Sequence, residues 1–300
     1  MSALTSALTG TRWVLVRQHR SALRMLLAVF ALGCGGLAAT RLWFTSGHGR
    51  QGAFGPEDLL LGALDRGSTL LVLSPPLIAA YVAGPLFARE TETGTHQVAW
   101  TQSVTPLRWT ATKLVLVATV VAATSAAYVA VFRWSRAPVS DNAFLPLWSG
   151  PVYTAYGTTA TAYALLAVGV GALTGLLVHR AFAAMGVAGL VTGTVMLVLG
   201  TVRHTLWPTE TLTGRPLPHP RDTWWVESGS LDASGGRLSS VMCPGYWDPC
   251  DGGGTGVTDF ARTHPPSHFW PIQLVETGIV LALAAAATYA AFRVLRRRQG

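Results

Sequence analysis

Six stretches of the chain are apolar over almost their whole length, and most of the charge lies between them. They cover residues 25–44 (interrupted by Arg41), 69–88, 114–132, 158–178, 181–202 and 272–292. A bilayer core about 30 Å thick is crossed by roughly 20 helical residues, so these lengths suit spanning helices. Inside lipid each backbone amide must find its partner within its own segment, which makes the runs helices even where valine and threonine favour strand. The pattern predicts an all-α integral membrane protein, one transmembrane domain over 1–300 with six transmembrane helices.

Ahead of the first span, residues 3–20 mix Leu8, Trp13, Val14, Leu15 and Val16 with arginines, which suits an N-terminal helix lying in the inner interface. The run from Ala31 to Cys34 is loosely like a lipoprotein cleavage site, but the long charged start argues against a cleaved signal and leaves Cys34 a small buried residue of the first span. Positive residues collect on the cytoplasmic side. With the N-terminus inside, the inner segments hold Arg12, Arg17, Arg20, Arg24, Arg89, Arg108, Lys113, Arg180, Arg293, Arg296, Arg297 and Arg298. The short outer loops hold only Arg41, Arg50, Arg66, Arg133 and Arg136, so both termini are expected in the cytoplasm. Trp43, Trp134, Trp148, Trp207 and Trp270 then fall at outer helix ends, at the headgroup level that tryptophan prefers.

Composition narrows the function. Half the residues are hydrophobic and 12% charged, against about 25% charged in an ordinary soluble domain. A net charge of +8 and a pI near 10 raise the question of a nucleic-acid partner. The arginines flank membrane segments rather than forming a basic face, so no nucleic acid is expected. The only lysine, Lys113, lacks the glycine-lysine-serine setting of a P-loop, and neither HExxH nor GxSxG occurs. No catalytic residue and no cofactor of its own is therefore expected.

Between the last two spans, residues 203–271 form a large extracytoplasmic loop rich in Pro, Gly, Ser and Trp, read as a small, partly ordered cap. Cys243 and Cys250 lie in it as a possible disulfide, with free thiols the alternative. His264 and His268 are separated by two prolines that prevent a regular helical turn, so HPPSH reads as solvated loop and no metal site is expected.

Two places inside the membrane depart from plain apolar helix. Pro75 and Pro76, then Gly84 and Pro85, predict a kinked or broken second helix, which either lines a pathway or is a static bend. Glu276 near the outer end of the last helix has three readings: an internal partner, solvation at the interface, or a part in transport. Gly171 with Gly175 and Gly189 with Gly193 allow close helix contact, within the chain or across a dimer seam.

The inner loop 89–113, entered through Ala88, begins with an acidic turn at Glu90 and Glu92 and breaks at Gly94. It continues as a short helix carrying Val98, Ala99 and Trp100, and turns at Pro106. Such an exposed amphipathic element with an aromatic anchor suits docking into a groove on another protein. Glu90, Gly94-Thr95, Pro106 and Lys113, following a proline-broken second helix, resemble the coupling loop of permease subunits of ABC-2 type ABC transporters. The strings Ala88-Arg89-Glu90 to Arg108-Trp109 and His268-Phe269-Trp270 to Gln273 and Glu276 are similar to those of a subgroup of bacterial permeases from GC-rich genomes.

The resemblance implies a transmembrane permease in the bacterial plasma (inner) membrane, pairing with a second copy or a related permease and surrounded by membrane lipid. Separate cytoplasmic ATPase subunits, which bind ATP and Mg, would dock on the 89–113 loop through Glu90, Glu92, Gly94, Thr95, Trp100 and Arg108. Helices two and five would face the partner and the pathway, with Pro75, Pro76, Pro85 and Glu276 as pathway or kink residues. Export is the expected direction. The rivals are a non-transporting anchor or sensor whose outer loop binds a ligand or partner, and a secondary transporter, which should show an internal repeat or several embedded charges.

Overall fold

The computed structural model describes residues 20–46, 55–85, 88, 105–139, 145–178, 180–214, 217–218, 220, 222–231, 234–238 and 258–297. The chain divides into two compact units, 1–201 with 273–300, and 202–272. The expected interfacial helix 3–20 lies outside the described residues except for Arg20.

The first unit is helical. α1 spans Arg20–Thr45, α2 Pro56–Leu77, α3 Pro106–Arg136, α4 Gly150–Tyr156, α5 Thr159–Leu177, α6 Ala181–Val202 and α7 Phe269–Arg297. Among the described residues six helical stretches are long and apolar enough to cross a membrane: 23–45, 56–83, 107–139, 159–177, 181–205 and 266–297. The fourth is 78% buried and none of the others exceeds 39%, so α5 is the central helix and the rest turn apolar faces outward. Outward residues such as Leu32, Phe182 and Leu197 are what a protein places against lipid.

α2 starts thirteen residues before the apolar run that announced it. Pro56 sits in the first turn, where its missing N–H costs nothing, and the Asp58 carboxylate accepts the Gly55 N–H at 2.9 Å. Leu60, Leu64, Gly67, Ser68 and Leu71 are buried at helical spacing, while Glu57, Asp58, Asp65 and Arg66 point out. The charges lower any average along the chain but all fall on one face, which is why hydropathy alone misses these turns. α3 likewise begins early. Thr105 caps it by accepting the Arg108 N–H at 3.4 Å, and 106–113, expected as loop, form its first two turns.

Tyr128 ties the first three helices together. Its hydroxyl donates to the Gly67 carbonyl at 3.0 Å, and its ring packs edge-on against Phe30. Glycine is required where the ring passes: a Cβ on Gly33 would stand 2.7 Å from the Tyr128 ring, and one on Gly67 2.9 Å from its hydroxyl.

The second unit corrects the all-α expectation. β1 (Glu210–Gly214), β2 (Trp224–Leu231), β3 (Arg237–Leu238) and β4 (Thr258–His264) form one antiparallel sheet in the order β1-β4-β2-β3. The spanning segments are helical because lipid offers no partner for their backbones. This unit satisfies its backbone between strands, and β4, paired on both sides, buries Phe260, Ala261, Thr263 and His264. Glu227 forms ion pairs with Arg237 at 2.7 Å and Arg262 at 3.5 Å on the exposed side. Cys243 and Cys250 lie outside the described residues.

Gly33→Leu should overpack the Tyr128 contact and cost about 1–3 kcal/mol. Gly35→Ala, on the same helix with nothing within 4 Å of its Cβ, should leave stability unchanged or raise it. Thermal unfolding of the two variants in the same detergent makes the comparison.

Candidate functional site

Two irregularities in the membrane helices meet the central helix α5. The first continues α2. After Pro75 and Pro76 the chain forms a π-helical segment, Ile78–Ala83, and runs on to Gly84 and Pro85. Each proline removes an amide from the ladder, and the wider turn that follows absorbs the change; such π segments recur at functional positions. The helix is thus distorted rather than broken. Pro75 and Pro85 are buried and Pro76 half-buried.

Glycines on two neighbours admit this segment. A Cβ on Gly171 of α5 would lie 2.3 Å from the Ala83 Cβ, and one on Gly189 of α6 would lie 3.3 Å from the Ala80 Cβ. Gly193 faces the Pro76 ring more loosely, at 3.9 Å. Gly171 and Gly189, each half of a small-residue pair legible in the sequence, therefore pack within the chain, against the distorted part of α2.

The second irregularity lies between α4 and α5. The short α4 starts at Gly150-Pro151 and ends at Gly157, whose extended backbone (φ −107°, ψ −163°) interrupts the helix before Thr159 restarts it. A break in an apolar setting strands carbonyls on one side and amides on the other. Gln273 of α7 serves both ends. Its Nε2 donates to the Tyr153 carbonyl at 2.7 Å and its Oε1 accepts the Thr159 N–H at 3.3 Å. A Cβ on residue 157 would lie 2.1 Å from the Gln273 amide carbon, so only glycine leaves room.

One turn further along α7, Glu276 is fully buried and accepts the Tyr163 hydroxyl at 2.7 Å. Thr277 and Thr158 share a hydroxyl bond of 2.7 Å beside it. Gln273, Glu276 and Thr277 occupy one face of α7, and the same face continues as Val280 and Ala284 against Tyr163, Leu166 and Val170. α5 and α7 thus meet along a seam that is polar at one end and apolar at the other. Glu276 thus has an internal partner in the Tyr163 hydroxyl.

From the other side, α4 is held by the C-terminal turn of α3. The guanidinium groups of Arg133 and Arg136 lie 5.0 and 5.6 Å from the Tyr156 ring centroid, and Arg136 donates to the Leu145 carbonyl at 3.1 Å. Both arginines also complement the negative end of α3.

Of the docking residues expected on the inner loop, Arg108 lies exposed in the first turn of α3. Glu90, Glu92, Gly94, Thr95 and Trp100 lie outside the described residues. In the second unit His264 is the buried last residue of β4, not part of a solvated loop; burial holds its imidazole below the ordinary histidine range, partly offset by a bond to the His204 backbone.

Gln273 stands in a string that carries the family resemblance, yet nothing in the sequence pairs it with Tyr153 and Gly157. The readable signal was local: a Ser-Gly-Pro helix start at 149–151 and a glycine at 157, just before an apolar run.

Residues 57–203, just under half of the chain, match a family model described as ABC-2 membrane transporter related. The match runs from the first turn of α2 through α6 and takes in both irregular segments. It supports an ABC-2 type permease, and together with six membrane-capable helices it makes the chain a multi-pass membrane protein. Comparison with curated proteins and with solved structures gave no significant match.

Gln273→Ala should destabilise the protein by about 1–3 kcal/mol, since it leaves a buried carbonyl and amide without partners. Gly157→Ala alone should also be destabilising, and the double variant should cost less than the sum, because removing the amide makes room for the new methyl. A double-mutant cycle on thermal unfolding reads the coupling.

Proposed function

We propose that this chain forms the substrate pathway of an ABC exporter as a dimer, with a second copy or a related permease. Separate cytoplasmic ATPases, which bind ATP and Mg, drive it. The observation that carries the reading is the match of 57–203 to an ABC-2 membrane domain. A transporter permease subunit of this family associates with ABC ATPase partners, and ATP hydrolysis is normally theirs.

In this reading the 89–113 loop is the docking element, with Glu90, Glu92, Gly94, Thr95 and Trp100 in it and Arg108 at the foot of α3. Closure of the ATPases on ATP displaces α3 and the end of α2, and the π segment seated on Gly171 and Gly189 carries the displacement to α5 and α6. Rigid helices that slide or rock between two packed arrangements are a common way to alternate access. Pro75, Pro76 and Pro85 provide the deformable part of α2. Glu276, paired with Tyr163, is the ionisable group of the pathway wall. The membrane is the bacterial plasma membrane with both termini in the cytoplasm, which puts the sheet unit outside.

The folded sheet between the last two spans favours a second reading, a non-transporting anchor or sensor whose outer unit binds a ligand or partner. One experiment separates the two. The tagged chain, purified in mild detergent from its native host, should recover an ABC ATPase in stoichiometric amount with ATP turnover. Glu90→Ala with Trp100→Ala should remove the ATPase while the chain still inserts. Repeated recovery without an ATPase would favour the sensor, and unaltered recovery from the double variant would overturn the docking assignment.

A further inference from the structure

The spacing of two exposed aromatic residues on α7 fixes where its last turns lie in a membrane. Trp270 and Tyr289 stand nineteen residues apart on one unbroken helix. At about 1.5 Å per residue that is about 28 Å, close to the thickness of a hydrocarbon core. Tryptophan and tyrosine gather at the two faces of that core. The residues after Tyr289 therefore lie at headgroup depth, and they include Arg293, Arg296 and Arg297, roughly 6 to 12 Å further along the helix.

Packing decides which way the arginines point. Ala291 and Leu295, one turn apart, are buried in the main apolar cluster, with Phe292 and Val294 packed beside them. At about 3.6 residues per turn, Tyr289, Arg293 and Arg296 fall on the opposite side of the helix, and all three are exposed, as is Arg297. The Arg293 guanidinium lies 6.0 Å from the Tyr289 ring centroid, so the ring face steadies the first of the arginines.

Among the described residues none of these three arginines forms an ion pair, whereas Arg237 and Arg262 of the sheet both reach Glu227. Arg296 and Arg297 complement the negative end of α7, but Arg293 stands before the last turn and is not needed for that. A guanidinium presents its N–H groups in a planar fork that matches the oxygens of a phosphate. Three of them at headgroup depth, with no carboxylate to satisfy them, are complementary to a phosphodiester that carries no amine of its own.

We propose that Arg293, Arg296 and Arg297, with Tyr289, form a binding surface for an anionic phospholipid of the leaflet in which α7 ends. The phosphodiester accepts hydrogen bonds from the guanidinium groups, and an acyl chain lies along the outward alanines Ala282, Ala285 and Ala286. A zwitterionic lipid offers the same phosphate but cancels its charge with an ammonium, so net charge decides which lipid is held. The proposal requires only that α7 spans the membrane and stands independently of the transport reading.

For the test, the full chain in mild detergent is equilibrated with equal amounts of phosphatidylglycerol and phosphatidylcholine of the same acyl chains, and retained lipid is counted by native mass spectrometry. The chain should hold phosphatidylglycerol over phosphatidylcholine by at least about fivefold, the effect of one arginine at a charged surface. Arg293→Gln with Arg296→Gln and Arg297→Gln should remove most of this preference. Arg24→Gln with Arg180→Gln, exposed arginines elsewhere in the membrane unit, should leave it unchanged. Thermal unfolding shows that each variant is folded. If the triple variant does not fold, Arg293→Gln alone, which keeps both helix-end arginines, should lower the preference at least about twofold. No preference in the parent chain, a preference unchanged in the folded α7 variant, or one lowered as far by the Arg24 and Arg180 pair would overturn the proposal. So would loss of the preference to inorganic phosphate but not to chloride at equal ionic strength, which would assign the arginines to a free anion.

Discussion

The constraint on which the membrane unit depends is that a backbone polar group in an apolar surrounding needs a partner. Regular helices meet it without help, and among the described residues the membrane helices depart from them at two places, each repaired by different means. At Pro75 and Pro76 the repair is internal: the helix widens into a π segment and keeps its continuity. At Gly157 it is external: the helix stops, and a side chain from α7 bonds to both loose ends. The first solution leaves a deformable helix, and the second makes two helices depend on a third.

Both irregularities converge on α5, which is enclosed by its neighbours while they face outward. Gly171 admits the π segment on one side of α5, and Gly169 admits α7 on the other, where an added Cβ would stand 2.8 Å from the Ala284 carbonyl. Close contact through small residues is how helices associate where the hydrophobic effect is weak. It also means that displacement of α2 has no slack to disappear into before it reaches α5. This is the physical content of the transport proposal: an inner loop pulled by a partner acts through a continuous line of backbone contacts.

The sequence was informative where the physics is one-dimensional. Six apolar runs announce six membrane-capable helices because lipid demands a long uninterrupted segment, and the glycine pairs announce close packing. It was less informative where faces matter. The first turns of α2 were hidden because Glu57, Asp58, Asp65 and Arg66 all lie on the outward side of a helix that buries Leu60, Leu64, Gly67, Ser68 and Leu71 on the other. The sheet was hidden because its strands are short and its central strand β4 pairs with β1, about fifty residues away in the chain. Gln273 and Gly157 were hidden for the same reason, since their relation exists only once α7 has returned to α5. Glu276 was visible as a carboxylate near the outer end of a spanning helix, but not the Tyr163 hydroxyl that donates to it.

The central claim is that helices of this chain move when ATP binds to another subunit. Spin labels at Leu73 on α2 and Leu274 on α7, both outward-facing positions, would report the distance between these helices in the complex with the ATPase, reconstituted in lipid. The account predicts one distance distribution without nucleotide and a shifted one with ATP and vanadate. A distribution that nucleotide leaves unchanged, in a complex that still hydrolyses ATP, would contradict it.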